Sequence, residues 1–459
     1  MQNCTRISRR DFLSYAGAAA GVFGLGLSGF SCASSQAVSG SGRKRPNILL
    51  IVADDLGYND LGCQGGTEIP TPFIDTIAAN GVRFTDGYVT CAICSPSRAA
   101  LLTGIYQQRF GFEFLVPEAE NANGIPKTVK NIAEYLKPQG YRTCAIGKWH
   151  VGSAEHCLPN NRGFDEFFGI RGGNRNYFDL EPKSGEPVSY YQNIYRNNEA
   201  VTEKEYLTDA LGREAAAFIK KQDEEPFFMY LAFNAVHLPL QAKKEYEARF
   251  KGKIKGSNRV TYAGMLVSMD EAVGRVLATI KEKGIEDDTI IMFLSDNGGK
   301  LRIADNAPLR GEKGQLLEGG IRVPMLMQWK GKLPAGSKYS KPVISIDLSA
   351  TILAAADVKS DIEGVDLMPF ITGKDAASPH DALYWRLGDV WAVRKGDWKM
   401  IGRPLSQSFN LYNLADYIRE KDISAEHPEK VKEMRDVYDS WNKLNAEPAW
   451  PRSKTDVVP

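Results

Sequence analysis

Pro46-Asn47-Ile48-Leu49-Leu50-Ile51-Val52-Ala53-Asp54-Asp55 decides the architecture. Five consecutive large apolar residues, Ile48 to Val52, end in a pair of carboxylates. A strand with one wet face alternates apolar and polar residues. An unbroken apolar run suits a central strand covered on both faces, the usual situation in a parallel sheet. Similar runs recur at 143–146, 227–233 and 289–294, the last continuing into Ser295-Asp296-Asn297-Gly298-Gly299. Helical stretches lie between them. One is expected at 71–79, with Pro72 in its first turn and Gly81 near its end. Others are expected at 128–136, stopped by Pro138 and Gly140, at Ala-rich 206–221, and at 262–283, where apolar residues fall at helical spacing. Residues 82–89 read as extended. Buried strands alternating with helices predict an α/β fold on a mainly parallel sheet covered on both faces.

Composition bounds the rest. The chain has 459 residues, enough for one large α/β domain and a smaller partner. The net charge is +1 with Lys and Arg dispersed, which argues against a nucleic-acid partner held by a strong global field. Residues 1–35 read as an address rather than as fold: Ser8-Arg9-Arg10-Asp11-Phe12-Leu13 looks like a twin-arginine export signal, followed by a Gly/Ala-rich apolar stretch to Phe30. The expected destination is the periplasm or the exterior, with the twin-arginine translocase as a partner. Cys32 stands where a lipoprotein signal places its lipidated cysteine, although Gly29-Phe30-Ser31 lacks the usual Leu, so it is a candidate lipid anchor. Residues 36–45 are Ser/Gly-rich and read as a linker. Seven cysteines show no zinc spacing, Cys91-x-x-Cys94 being a single pair. Export of folded protein from a reducing cytosol predicts buried thiols rather than disulfides.

In open α/β sheets ligands bind beyond the carboxyl ends of the strands. Asp54 and Asp55 end one expected strand, and Asp296 and Asn297 end another. Three carboxylates and an amide are hard oxygen donors that suit Ca²⁺ or Mg²⁺ better than zinc. An Asp-Asp pair at a strand end also serves simply to cap a turn. Lys148 and His150 follow the strand at 143–146 and fall on one side by alternation. His237 follows the strand at 227–233, and Lys313 lies in Leu309-Arg310-Gly311-Glu312-Lys313-Gly314. His156, His380 and His427 have no comparable context and read as surface or structural residues.

Cys94-Ser95-Pro96-Ser97-Arg98-Ala99-Ala100-Leu101-Leu102-Thr103-Gly104 and Gly140-Tyr141-Arg142-Thr143-Cys144-Ala145-Ile146-Gly147-Lys148-Trp149-His150 complete the picture. Both resemble the signatures of the type I, formylglycine-dependent sulfatases, in the same order, and the likeness spans about residues 46–445. A lone Cys is more often a buried thiol, and a CxxC also suggests a redox motif, but Pro-Ser-Arg and Leu-Leu-Thr-Gly after Cys94 favour the sulfatase reading.

The resemblance implies an alkaline-phosphatase-like fold: a large, mainly parallel mixed sheet sandwiched by helices, plus a small C-terminal antiparallel sheet with a helix. Short strands at 382–385, 390–394 and 399–401 and a charged helix at 428–442 match that second part, which divides the chain into 46–370 and 371–459. The resemblance further implies that a formylglycine-generating enzyme oxidises Cys94 to Cα-formylglycine. One hydroxyl of the hydrated aldehyde attacks sulfur, and the second expels sulfate. Asp54, Asp55, Asp296 and Asn297, with residue 94, would hold one divalent cation, Ca²⁺ in preference to Mg²⁺. Arg98 would orient the diol and the metal ligands. Lys148, His237 and Lys313 would grip sulfate or serve the leaving oxygen, and His150 would take the diol proton. Asn174, Arg175 and Tyr177, in a Gly-rich loop, are candidate substrate contacts. The expected substrate is a sulfated carbohydrate. A phosphomonoester or phosphonate ester hydrolase of the same superfamily and an inactive sulfated-glycan-binding protein are the alternatives; the second should have lost Lys148, His150, His237 or a metal ligand.

Overall fold

The computed structural model describes residues 45–117, 119, 121–178, 193–403, 408–415 and 421–452. The expected leader, Cys32 and all of the linker before Arg45 lie outside them.

The opening run forms the strand Asn47–Ala53, buried at every position. It is central, as expected. Phe227–Ala232 and Thr289–Ser295 pair with it in parallel on either side. Its side chains divide by parity: Ile48, Leu50 and Val52 enter one apolar core, and Leu49, Ile51 and Ala53 enter the other. Both faces are therefore covered, which is why the run shows no polar alternation.

Arg142–Lys148 and Glu166–Ile170 extend the parallel set beyond Phe227–Ala232. Antiparallel strands flank the parallel set on both sides, Met325–Trp329 against Thr289–Ser295 and Ile194–Arg196 against Glu166–Ile170, with Val82–Phe84 and Ser337–Tyr339 beyond the first and Glu199–Val201 beyond the second. Ten strands make this sheet. The helices Pro72–Ala79, Leu207–Lys221 and Ser257–Glu282 pack on one face. Cys94–Thr103 and Ser345–Ala355 pack on the other. A separate four-stranded antiparallel sheet, Leu383–Leu387, Val390–Lys395, Trp398–Arg403 and Ser408–Asn413, follows with the helix Pro428–Asn442. Trp385, Ala392, Met400 and Tyr438 from these last elements share the apolar core of the Cys94 face. The architecture is the expected mixed α/β one.

Local departures have local causes. The helix expected at 128–136 spans only Ile132–Leu136. Asn131 accepts from the Glu134 N–H at 3.2 Å while Glu134 accepts from the Asn131 N–H at 2.9 Å, and this capping box sets the start. The helix expected from 262 starts at Ser257; its first turn opens on exposed Ser257 and Asn258, and Val260 alone is apolar, so no period announces it. The extended 82–89 stretch divides into Val82–Phe84 and Gly87–Tyr88, which pair with different strands.

Candidate active site

The parallel strands share a direction, so their carboxyl ends open onto one edge. Asp54 and Asp55 leave Asn47–Ala53 there, Asp296 and Asn297 leave Thr289–Ser295, and Lys148 ends Arg142–Lys148. Backbone bonds lock these ends together. Asp296 N–H donates to Ala53 O at 3.0 Å, Asp54 N–H to Ala235 O at 3.1 Å, and Val236 N–H to Asp54 O at 2.9 Å. Asp55 takes φ of 61°, turning the chain so that its carboxylate joins the others.

Each carboxylate faces its own cation. Lys148 Nζ lies 2.6 Å from Asp54 Oδ2, and Lys313 Nζ lies 2.6 and 2.9 Å from the two oxygens of Asp55. Arg98 Nη2 and Nε lie 2.7 and 2.8 Å from Asp296 Oδ2, with Nη2 also 3.6 Å from Asp54. Asp54, Arg98, Lys148, Asp296 and Asn297 are all at most 1 % exposed. Asn297 Nδ2 donates to Asp55 Oδ1 at 2.7 Å, which aims its carbonyl oxygen elsewhere. That oxygen and Asp54 Oδ1 are buried acceptors without a hydrogen-bond donor. Unsatisfied buried acceptors are uncommon and call for an explanation. A hard cation supplies one, since carboxylate and amide oxygens are its preferred ligands. Ligand atoms of Asp54, Asp296 and Cys94 lie within 4.8 Å of one another, as do those of Asp54, Asp55 and His237. Burial lifts the Asp296 carboxyl to about 6 against the pull of Arg98, with Asp54 pushing the same way as burial.

Cys94 is the first residue of the helix Cys94–Thr103, following Ile93 in an extended conformation, so it stands at the end of the helix that carries free N–H groups and a partial positive charge. It is one of the buried thiols expected; Cys63, Cys144 and Cys157 are free, Cys63 being only partly buried. The Cys94 Sγ lies 3.4 Å from His150 Nδ1. His150 has a φ of 55°, which swings the ring back toward Cys94 beyond the strand's end. Ser95 Oγ donates to His150 O at 2.6 Å and fixes that conformation. Gly173 lies against the ring: a Cβ there would stand 2.7 Å from it. Burial first, then Lys148 and Arg98, holds the His150 imidazole well below its usual pKa, so it is neutral. Burial also raises the Cys94 thiol pKa despite Lys148 and Lys313, so an unmodified Cys94 is a protonated thiol here.

His237 follows the strand Phe227–Ala232. Its Nδ1 lies 2.7 Å from Leu238 O, and its Nε2 lies 3.8 Å from Asp55 Oδ2. A bond to a carbonyl requires the proton on Nδ1, leaving the Nε2 lone pair toward the site. Burial and Lys313 hold this imidazole at about 3 against the pull of Asp55. Of the three loop residues proposed to meet substrate, Asn174 is exposed and Arg175 is buried. Tyr177 is 1 % exposed, and its hydroxyl lies 2.9 Å from His237 O and 2.5 Å from Asn234 O, beneath the histidine. Ser95 and Tyr230 were not singled out by sequence. Tyr230, whose hydroxyl lies 3.4 Å from Arg98 Nη1, sits in an apolar strand and gives no signal. His380 contacts both oxygens of Asp347 at 2.9 Å and His427 packs edge-on to Trp398, as structural residues do.

A wide mixed sheet with carboxylates, cations and a helix-start cysteine gathered at one edge is the architecture of the alkaline-phosphatase-like superfamily. Comparison with known sequences and structures narrows the class. The Sulfatase family profile matches residues 46–358, and that of N-sulphoglucosamine sulphohydrolase, C-terminal, matches residues 312–445. The chain belongs to the sulfatase family and is a sulfuric ester hydrolase. Among its relatives, N-acetylgalactosamine-6-sulfatase of Canis lupus familiaris is 34 % identical over 380 residues, covering 77 % of this chain and 71 % of that one. An uncharacterized sulfatase, YdeN of Escherichia coli (strain K12), is 29 % identical and covers 86 % and 85 %. Among solved structures, Ps i-CgsB in complex with k-i-k-neocarrahexaose superposes with a TM-score of 0.85 at 39 % identity, covering 90 % of this chain and 96 % of that one. No helix among the described residues is long and apolar enough to cross a membrane.

Proposed function

We propose that the protein removes sulfate from a sulfated carbohydrate, with residue 94 as formylglycine and one divalent cation, Ca²⁺ before Mg²⁺, held by Asp54, Asp55, Asp296 and Asn297 beside it. The observation that carries this reading is the pair of buried, donorless acceptors, Asp54 Oδ1 and Asn297 Oδ1, beside Cys94. Charge supports it. The three carboxylates are balanced by Lys148, Lys313 and Arg98. A divalent cation would leave the site net positive, the sign a sulfate ester requires. When bound, the cation would polarise a sulfate oxygen as a Lewis acid.

The chain's own groups divide the remaining work. The Sγ position of Cys94 stands for a hydroxyl of hydrated formylglycine, and the helix start beneath it favours an anion there. Lys148 and Lys313, held beside Asp54 and Asp55, would bind sulfate oxygens. Arg98 orients Asp296 and Asp54. Neutral His150, 3.4 Å from that position, accepts the proton as sulfate leaves. His237 Nε2 serves the leaving alcohol. The negative charge of a bound sulfate offsets Lys313 and Lys148, which raises the His237 pKa and allows it to carry the proton it donates.

The bound neocarrahexaose of Ps i-CgsB and the activity named for N-acetylgalactosamine-6-sulfatase supply the first substrates to try. Maturation requires a formylglycine-generating enzyme. The arginine pair Arg9-Arg10 suggests export through the twin-arginine translocase, with Cys32 as the candidate lipid anchor. Sulfate release should be measured from neocarrahexaose, from 6-sulfated N-acetylgalactosamine and from an aryl sulfate, beside phosphate release from the matching aryl phosphate. Sugar sulfates should be hydrolysed, and the phosphate ester should react far more slowly. Faster phosphate release would reassign the protein to the phosphoester hydrolases of the superfamily, and inertness toward every ester would favour a glycan-binding role.

A further inference from the structure

The C-terminal sheet sends two cations into the interior. Arg394 and Lys399 are directly opposed on neighbouring strands, so they leave the sheet on one face. They are 5 % and 0 % exposed. Buried like charges side by side are costly unless anions meet them. The anions come from the segments that lead to the active site. Lys399 Nζ lies 2.9 Å from Glu318 Oε1, and Arg394 Nη1 lies 2.8 Å from Asp86 Oδ1. Arg322 joins both, 3.0 Å from Asp86 Oδ2 and 3.3 Å from Glu318 Oε2, and the Tyr88 hydroxyl donates to Glu318 at 2.6 Å. Burial alone would raise the Glu318 carboxyl, but Lys399, Arg322 and Arg394 outweigh it and hold it at about 2.

Glu318 begins the single turn Glu318–Ile321, whose backbone touches three parts of the site. Gly298 N–H, next to Asn297, donates to Gly320 O at 3.0 Å. Gly319 N–H donates to Arg310 O at 2.6 Å, in the segment that carries Lys313, whose own N–H reaches Gly299 O at 3.3 Å. Val89 N–H donates to Ile321 O at 2.9 Å, and Gly314 N–H to Ala92 O at 2.8 Å, two residues before Cys94. A Cβ on Gly298 would stand 1.9 Å from Gly319 O, so turn and metal-site strand end meet backbone to backbone. A displacement of this turn therefore moves Asn297 and Lys313 with it.

We propose that Lys399 is a positioning residue for the hydrolytic site: acting through Glu318, it fixes the turn that sets Asn297 and Lys313, and makes the C-terminal sheet necessary for a competent site. This rests on the site assignment above. The test uses the full mature enzyme and three variants: Lys399→Met, Lys399→Met/Glu318→Gln, and Arg386→Met. Arg386 is a second cation of the same sheet, paired 2.6 Å from buried Glu113, and serves as a control for simple destabilisation. Tm, kcat and KM on an aryl sulfate, and the Ca²⁺ dissociation constant by calorimetry are measured for each.

Lys399→Met should lose about tenfold or more in kcat and bind Ca²⁺ about tenfold more weakly, with KM little changed. The double variant leaves Arg322 and Arg394 with Asp86 alone, so it should recover no Tm over Lys399→Met and should keep the loss of kcat and Ca²⁺ affinity. Arg386→Met should lose Tm while keeping kcat. The proposal is overturned if kcat and Ca²⁺ affinity simply follow Tm across the variants, or if folded Lys399→Met matches wild type in both. An inactive wild type that binds Ca²⁺ more tightly than Lys399→Met would refute the assigned activity and leave the positioning role standing.

Discussion

Replacing Arg98 with Met probes the charge balance of the site. Arg98 is fully buried, and its guanidinium lies 2.7 Å from Asp296 and 3.6 Å from Asp54. Burial would favour its neutral form, but Asp296, Tyr230 and Asp54 hold the charge firmly on. Met fills similar volume without charge, so Asp296 loses its counter-ion, while Asp54 keeps Lys148 at 2.6 Å. Breaking a buried pair from one side costs about 3–5 kcal/mol. At roughly 2 °C per kcal/mol for a large domain, Tm should fall by about 6–10 °C in chelator. Calcium should then stabilise the variant more than wild type, because it replaces the missing positive charge as well as occupying its site. At a concentration of about 100 Kd it should return roughly 2.7 kcal/mol, much of the loss. The assay is differential scanning calorimetry of both proteins with chelator and with excess Ca²⁺. An unchanged Tm for chelated Arg98→Met, or a Ca²⁺ shift larger in wild type, would refute this charge accounting.

The two histidines should separate by leaving group. His237→Ala should slow sugar sulfates by about 10²-fold or more while sparing activated aryl sulfates, since a stable phenolate needs little protonation. His150→Ala should slow both equally and accumulate a sulfated residue 94, seen as added mass on that peptide; equal leaving-group sensitivity of both variants would contradict the division. Asp270 gives a stability prediction. It accepts from the N–H groups of Phe73 at 3.2 Å and Ile74 at 2.8 Å, yet burial outweighs those bonds and lifts its carboxyl to about 7. Unfolded, it titrates near ~3.9. Between those values the native state holds the extra proton, so its contribution falls as pH rises through the window and is intact below it. Asp270→Asn should flatten the Tm profile between about pH 4 and 7; an unaltered slope would exclude Asp270 as its source.

What the sequence revealed follows from how each feature is encoded. Ile48 to Val52 announce a doubly covered strand because burial on both faces removes every polar residue from the run. Asp54, Asp55, Asp296 and Asn297 are legible because polar residues directly after such runs mark strand ends. Tyr230 is silent, since a tyrosine within Phe227–Ala232 reads as core. Lys399 and Glu318 are silent for the opposite reason: a charged residue in a short strand or loop reads as solvated, and only tertiary contact shows both at 0 % exposure. The start of the helix at Ser257 is not legible because its first turn, Ser257-Asn258-Arg259-Val260, carries a single apolar residue and so shows no period. Asn131-x-x-Glu134 carried a readable capping box that would have placed the start of Ile132–Leu136 correctly.

The central claim is that residue 94 works as formylglycine. Active enzyme should be purified from cells that contain a formylglycine-generating enzyme, digested, and the peptide spanning Cys94 to Arg98 examined by mass spectrometry beside a kcat measurement. The account predicts loss of the thiol and gain of an aldehyde at residue 94, visible free or as its hydrate, with kcat proportional to the converted fraction across preparations and absent in Cys94→Ala. Fully active protein carrying only unmodified Cys94 would contradict it.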